Sequence, residues 1–199
     1  MVDGSSNPFA TRHTRPGALK FRFPPGEDEA TIVERLRSQQ WSGQMIGPHG
    51  SGKSTLLTAL VPALEAAGRH VRCHALHQGE RRFALPRDDW KNFTSTTQLV
   101  IDGYEQLGRL VRWSVERRCR RRSCGLLVTT HRDLGLPTVF TMNPRLELAI
   151  DLVRQLVPAG DDTICLSDIE AAWRRRGGNV REMLFDLYDL FEQRRQSGR

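Results

Sequence analysis

The sequence predicts an α/β protein with a parallel sheet of about five strands in a three-layer sandwich, followed by a small helical lid. Up to Pro144, short apolar runs alternate with helical patterns, which favours a parallel sheet flanked by helices. A glycine-rich stretch separates the first strand from the first long helix, and beyond Pro144 only helical patterns occur. We therefore expect a leader and helix at 1–43, a core at 44–144 and a lid at 145–199.

The first half of the chain alternates between strand and helix signals. Residues 1–26 contain four prolines and three glycines and are expected to form an irregular leader. Helical spacing of apolar residues predicts helices over 27–39 and 54–67. Apolar runs predict buried strands over 44–46 and 70–76, and a helical turn is expected near Trp90.

The second half continues the alternation and then changes. Strands are expected over 98–101, 125–130 and 138–141, and a helix over 104–122. We expect four residues of that helix to face inward: Leu107, Leu110, Val111 and Val115. Three lid helices are then predicted over 145–157, 167–176 and 179–196. Ser167 with Glu170 is a capping-box signature for the second of them.

The most specific motif lies between the first strand and its following helix. Its residues fit G-x-x-x-x-G-K-[ST] at every fixed position, and they are Gly47, Pro48, His49, Gly50, Ser51, Gly52, Lys53, Ser54 and Thr55. Glycines let backbone N–H groups converge on phosphate oxygens, and the following helix N-terminus adds partial positive charge. Lys53 can reach the β- and γ-phosphates of a nucleotide, and the Ser54 hydroxyl can bind Mg²⁺.

An acid at a strand end supplies the second half of such a site. Asp102 follows the apolar run 99–101, and ligands of open parallel sheets bind at the carboxyl ends of strands. Asp102 would hold Mg²⁺ through water, as a Walker B acid does. The cofactors expected are therefore ATP and Mg²⁺.

These two motifs together resemble the P-loop NTPases of the additional-strand group, which includes the AAA+ and STAND ATPases. The stretch 126–131 (LLVTTH) resembles the strand that ends in a sensor 1 residue, which implies that Thr130 or His131 contacts the γ-phosphate. The stretch 178–182 (GNVRE) resembles the G-N-V-R-E of the AAA+ lid, which implies that Arg181 acts as sensor 2. The resemblance implies a Mg²⁺-dependent ATPase that works as a nucleotide switch.

The chain departs from the AAA+ pattern directly after Asp102. AAA+ proteins place the water-activating glutamate there, whereas this chain has Gly103, and its next acid is Glu105. The form D-G-x-E is closer to STAND proteins, which makes Glu105 the first candidate for the general base. Glu80, after the strand 70–76, is the second candidate, and the sequence leaves the choice open.

Net charge raises the question of partners. The chain has 30 Lys and Arg against 23 Asp and Glu, a formal charge of +7. Arginines are densest between Arg109 and Arg122, where three uses stay open: binding nucleic acid, offering an arginine finger to a neighbouring subunit, or forming a solvated helix end. A homo-oligomer or a protein partner is therefore compatible with the sequence.

Composition indicates a cytoplasmic protein without a membrane partner. No apolar run approaches the roughly 18 residues of a spanning helix, and the N-terminus lacks a signal-peptide pattern. The four cysteines lack C-x-x-C spacing, so reduced thiols are expected. We expect the four tryptophans to be packing residues and Phe9, Phe21 and Phe23 to be apolar anchors of the leader. The resemblance to AAA+ proteins, many of which cradle adenine with such a leader, implies that role here.

Two other functions remain open. One is a P-loop phosphotransferase, in which residues 77–95 form an acceptor site and Arg81 and Arg82 assist catalysis. The other is an ATP-gated module with little turnover that binds nucleic acid or a protein partner. Neither an ABC signature between the Walker motifs nor an N-K-x-D guanine motif occurs in the sequence.

Overall fold

A computed structural model describes residues 7–77, 79–81, 83 and 85–197. Its described residues divide into two compact units. The sheet unit comprises Phe23–Gly47 and Leu56–Met142, and the helical unit comprises residues 7–22, Pro48–Thr55 and 143–197. This grouping places the glycine-rich loop with the C-terminal helices, and the predicted boundaries at 43/44 and 144/145 stay a prediction.

The sheet unit contains a five-stranded sheet in which every pairing is parallel. The strands are β1 (Ser42–Ile46), β2 (His70–Ala75), β3 (Thr97–Asp102), β4 (Gly125–Thr130) and β5 (Thr138–Thr141), in the order β2-β3-β4-β1-β5. The expectation of an α/β fold with a five-stranded parallel sheet is thus confirmed. All five strands end at one edge, because parallel strands share a direction.

Helices cover the sheet, as a three-layer sandwich requires. The helices of this part of the chain are α2 (Glu29–Ser38), α3 (Lys53–Ala66), α4 (Arg87–Lys91) and α5 (Arg109–Arg122). One core combines side chains of β3 and β4 with Trp90, Tyr104 and Val115 from the segments that follow β2 and β3. On α2, Ile32, Val33 and Leu36 are buried at helical spacing, and this helix packs near β1 and β5.

The helix predicted over 104–122 is interrupted, and the prediction of its inward-facing residues was partly wrong. Residues 104–122 form a 3-10 turn (Tyr104–Gln106) and then α5, because Leu107 adopts an extended conformation and Gly108 caps α5. This break sets the face that α5 buries: Val115 and Cys119 are buried, whereas Leu110 is 83% exposed. Trp113 on the same helix is 56% exposed and is not a packing residue.

The helical unit is built around three C-terminal helices. They are α6 (Leu146–Leu156), α7 (Leu166–Arg175) and α8 (Val180–Ser197), and the short helix α1 (Thr11–Thr14) precedes them in the chain. Their apolar faces form one core, which Phe9 of the leader joins with its ring 6.2 Å from that of Phe191. Phe9 is 1% exposed, so it anchors the leader to this core, as expected.

The predicted cap of α7 was shifted by two residues. The helix begins at Leu166 with Cys165 as its N-cap, and Asp168 accepts hydrogen bonds from the Cys165 N–H and thiol. Ser167 therefore lies inside the helix. Asp168 also pairs with Arg194 of α8, which keeps the pKa of this carboxyl low, at about 2.

Candidate functional site

The glycine-rich loop leads directly into α3, which begins at Lys53. Gly50 and Gly52 both have positive φ, at 67° and 94°, the left-handed region that glycine reaches without strain. Lys53 is 8% exposed, and its ammonium donates a hydrogen bond to the Pro48 carbonyl at 2.8 Å. A buried lysine held across its own loop beside a helix N-terminus is an arrangement suited to an anion.

Gly50 is also the point at which the loop meets the GNVRE segment. A Cβ atom at Gly50 would lie 1.8 Å from Asn179 Oδ1 and 3.1 Å from Arg181 Cβ. Asn179 Oδ1 accepts a hydrogen bond from the Glu182 N–H, which caps the start of α8. The structure therefore brings Arg181, whose side chain is exposed, next to the loop.

Within the sheet unit, Asp102 lies at the carboxyl end of β3 beside the end of β4. The Thr129 hydroxyl donates a hydrogen bond to Asp102 Oδ1 and accepts one from the Gly103 N–H at 2.9 Å. Thr129 was missed in the sequence, although parallel pairing of β3 and β4 puts it opposite Asp102.

The backbone explains why no glutamate follows Asp102. Gly103 has φ 81°, and a Cβ atom there would lie 2.8 Å from the Leu76 carbonyl oxygen. A glutamate would be strained in backbone conformation and would overlap that carbonyl. The next acid in the chain is Glu105, in the 3-10 turn that follows.

Glu105 is joined to the end of β4 and to the end of β1. His131 Nε2 lies 2.9 Å from Glu105 Oε1, and His131 Nδ1 lies 3.0 Å from the Gly47 carbonyl oxygen. A carbonyl can only accept, so Nδ1 carries a proton. Glu105, His131 and the Gly47 carbonyl thus form a short chain of polar contacts.

The two carboxylate oxygens of Glu105 have different surroundings, since Oε1 contacts His131 and Oε2 does not. Glu105 Oε2 is buried and has no hydrogen-bond partner in the part of the chain that the structure describes. Buried carboxyl oxygens are normally paired, and a water molecule is a partner of suitable chemistry for this one.

Glu80 and Thr130, the other two candidates for catalysis, have surroundings different from those of Glu105 and His131. The Glu80 carboxylate accepts a hydrogen bond from the His77 N–H at 3.0 Å, in an exposed turn after β2. Because β2 is separated from β1 by two strands, this turn follows a strand about 14 Å from β1. Thr130 is fully buried, and its hydroxyl donates to the Arg132 carbonyl at 2.8 Å, the arrangement of a strand-end cap.

The remaining residues of the loop differ in exposure, and one leader residue lies near the loop. Pro48 and His49 are exposed and Ser54 and Thr55 are half-buried, whereas the Ser51 hydroxyl is buried and has no partner among the described residues. Phe21 reaches the loop: its Cε2 would be 3.7 Å from a Cβ at Gly52. The predicted role of Arg82 lies outside the described residues.

Metal binding by side chains alone has no support in the described residues. They contain no group of three or more His, Cys, Asp or Glu that could hold a metal ion. Mg²⁺ fits this composition, because it keeps several waters and binds one or two protein oxygens together with phosphates. Asp102 and Ser54 are oxygen donors of that kind.

No protein-family model and no curated protein matches the chain. No helix among the described residues is both long and apolar enough to cross a membrane.

Proposed function

We propose that the chain binds ATP with Mg²⁺ and hydrolyses it, as a nucleotide switch of the AAA+/STAND type. The observation that carries this proposal is the complete G-x-x-x-x-G-K-[ST] loop with two left-handed glycines and buried Lys53 at the start of a 14-residue helix. The strand order supports it. The additional-strand group takes its name from a strand inserted between the two Walker strands, and β4 lies between β1 and β3.

Residues of the loop, of the sheet edge and of the GNVRE segment have distinct roles in the proposed ATPase. The loop N–H groups and Lys53 bind the phosphates, and Ser54 and Asp102 supply oxygen ligands for the metal. Mg²⁺ would neutralise phosphate charge. Arg181, adjacent to Gly50, contacts the γ-phosphate, and His131 reports its presence through the Gly47 carbonyl.

Of the two candidate general bases, Glu105 and Glu80, Glu105 is the better supported. Its buried unpaired oxygen can accept a proton from water, while His131 fixes the other oxygen. Glu80 accepts a backbone hydrogen bond in an exposed turn after the edge strand. We therefore propose Glu105 as the group that orients the attacking water.

The test is turnover and nucleotide binding by Lys53→Ala, with Lys91→Ala as its matched control. Lys91 is exposed and pairs only weakly with Asp88, so its loss should leave both measurements unchanged. Lys53→Ala should lower phosphate release by roughly 100-fold or more, because a charge aimed at the transferring phosphoryl group is lost. Normal turnover and normal ATP affinity in Lys53→Ala would refute the proposal.

A specific observation keeps the phosphotransferase as a second candidate. A cleft of about 500 Å³ opens after β2, lined by residues that include His74, Glu80, Arg81 and Phe83. That volume suits a small acceptor, and the cleft lies where residues 77–95 were expected to form an acceptor site. ADP formation that depends on an added hydroxyl compound, without phosphate release, would favour this function.

A further inference from the structure

The solvent-facing side of α5 is a surface that the proposed ATPase does not use. Successive residues of an α-helix are rotated by about 100° around its axis. On this basis the buried face of α5 is centred on Val115 and Cys119. The opposite face carries six residues within about one third of a turn. They are Arg109, Leu110, Trp113, Arg117, Arg120 and Arg121. We call this set the arginine–tryptophan stripe.

The stripe combines positive charge with an aromatic ring at its centre. Trp113 is 56% exposed, and the Arg117 guanidinium lies 5.4 Å from its ring centre. Leu110, one turn before Trp113, is 83% exposed. Arg109, Trp113, Arg117 and Arg121 follow at steps of four residues, about 6 Å apart along the helix.

Within α5 the stripe has one acidic partner, at the limit of ion-pair distance. The one acidic residue of the helix is Glu116, which accepts a hydrogen bond from the Tyr104 hydroxyl at 3.3 Å on the inward side. Its contact with Arg120 is long, at 4.0 Å. The charge of the stripe is therefore directed outward and is complementary to an anionic partner.

A single-stranded nucleic acid fits this surface better than a protein does. Stable protein interfaces bury about 800 Å² on each side around an apolar core, and two apolar side chains do not provide one. Single-strand sites, in contrast, combine arginines along the backbone with isolated aromatic rings on which unpaired bases stack. The net charge of +7 also opposes pairing of two copies of the chain.

We propose that the arginine–tryptophan stripe binds single-stranded DNA or RNA, with Trp113 stacking on a base and the arginines contacting phosphates. The contact is independent of base sequence, because every base has a face that can stack. It holds whether or not the chain hydrolyses ATP, because all of its residues belong to α5.

The experiment measures fluorescence anisotropy of labelled 20-mers of dT, U and duplex DNA titrated with the full chain. Trp113→Ala should weaken binding of single strands roughly ten-fold. Arg117→Ala with Arg121→Ala should reduce the slope of log affinity against log salt by about 1.4, from two lost phosphate contacts. Arg154→Ala with Arg174→Ala removes the same charge from exposed positions of α6 and α7 and is the matched control.

Each outcome decides the proposal. It stands if both stripe variants lose affinity while the Arg154/Arg174 control binds like the unmodified chain. It fails if single strands do not bind at low salt, if all arginine pairs weaken binding equally, or if duplex DNA binds as well and Trp113→Ala changes nothing. A concentration-dependent dimer lost in Trp113→Ala would identify a second copy of the chain as the occupant. Unchanged circular dichroism and melting temperature would show that these exposed substitutions leave the fold intact.

Discussion

The glycine-rich loop and the edge of the sheet offer two different ways of assembling chemistry. In the loop, nine consecutive residues supply backbone donors, a lysine and a hydroxyl. At the sheet edge, Asp102 contacts Thr129 and Glu105 contacts His131, and both contacts form because β3 and β4 are neighbours. A local motif survives in any fold that admits its turn, whereas the sheet-edge cluster depends on strand order.

The largest expected effect is at the sheet edge. Glu105→Gln keeps the size of the side chain but removes its capacity to take a proton, so phosphate release should fall by roughly 10²- to 10⁴-fold. ATP affinity should change little, because the loop is untouched. Steady-state turnover and equilibrium nucleotide binding measure the two effects separately.

Glu80→Gln is the control for Glu105→Gln. Because Glu80 occupies an exposed turn after the edge strand, we expect its substitution to leave turnover within about two-fold of normal. A large loss in Glu80→Gln, with normal turnover in Glu105→Gln, would reverse the assignment of the base.

A smaller effect is expected in the loop, from Gly50→Ala. The left-handed backbone costs an alanine about 1–3 kcal/mol, and its Cβ would overlap Asn179 Oδ1, so both stability and nucleotide affinity should fall. Gly26→Ala has the same kind of backbone, at φ 81°, with nothing within 4 Å of the added Cβ, and isolates the backbone cost. Urea unfolding and nucleotide titration compare the two variants.

Asn179→Ala combined with Gly50→Ala tests whether the contact itself matters. Removing the Asn179 side chain relieves the overlap, so the double variant should recover part of the loss seen in Gly50→Ala. If the double variant behaves as the plain sum of its single changes, the loop and the GNVRE segment do not act together.

The smallest effect is expected within the C-terminal helices and depends on pH. Arg194 hydrogen-bonds Asp168 and lowers its pKa from the ordinary value to about 2. A lowered folded-state pKa adds stability above pH 4, which is lost as the pH falls toward 2. Asp168→Asn should therefore lower the free energy of unfolding by about 1–2 kcal/mol at pH 7.

Chemical denaturation of the unmodified chain and of Asp168→Asn at several pH values provides the measurement. Near pH 2 the two proteins should have the same stability. A constant difference between pH 7 and pH 2 would mean that the hydrogen bond at the cap of α7, rather than the charge, is what Asp168 contributes.

The strands and helices were largely predictable because their signals are local. Apolar runs gave all five strands to within about two residues, and Asp102 proved to be the last residue of β3. The helix predicted over 104–122 was wrong at its start, because helical spacing alone does not register the extended backbone of Leu107 before Gly108. Leu110 was consequently assigned to the wrong face.

The sequence by itself determined the loop, since its glycines and Lys53 need only one another and the helix that follows. It also determined the alternation of strands and helices, through the spacing of apolar residues. The tertiary structure decided the contacts of Asp102 with Thr129, of Glu105 with His131 and of Gly50 with Asn179. Those contacts join residues far apart in the chain, so they depend on strand order and helix packing.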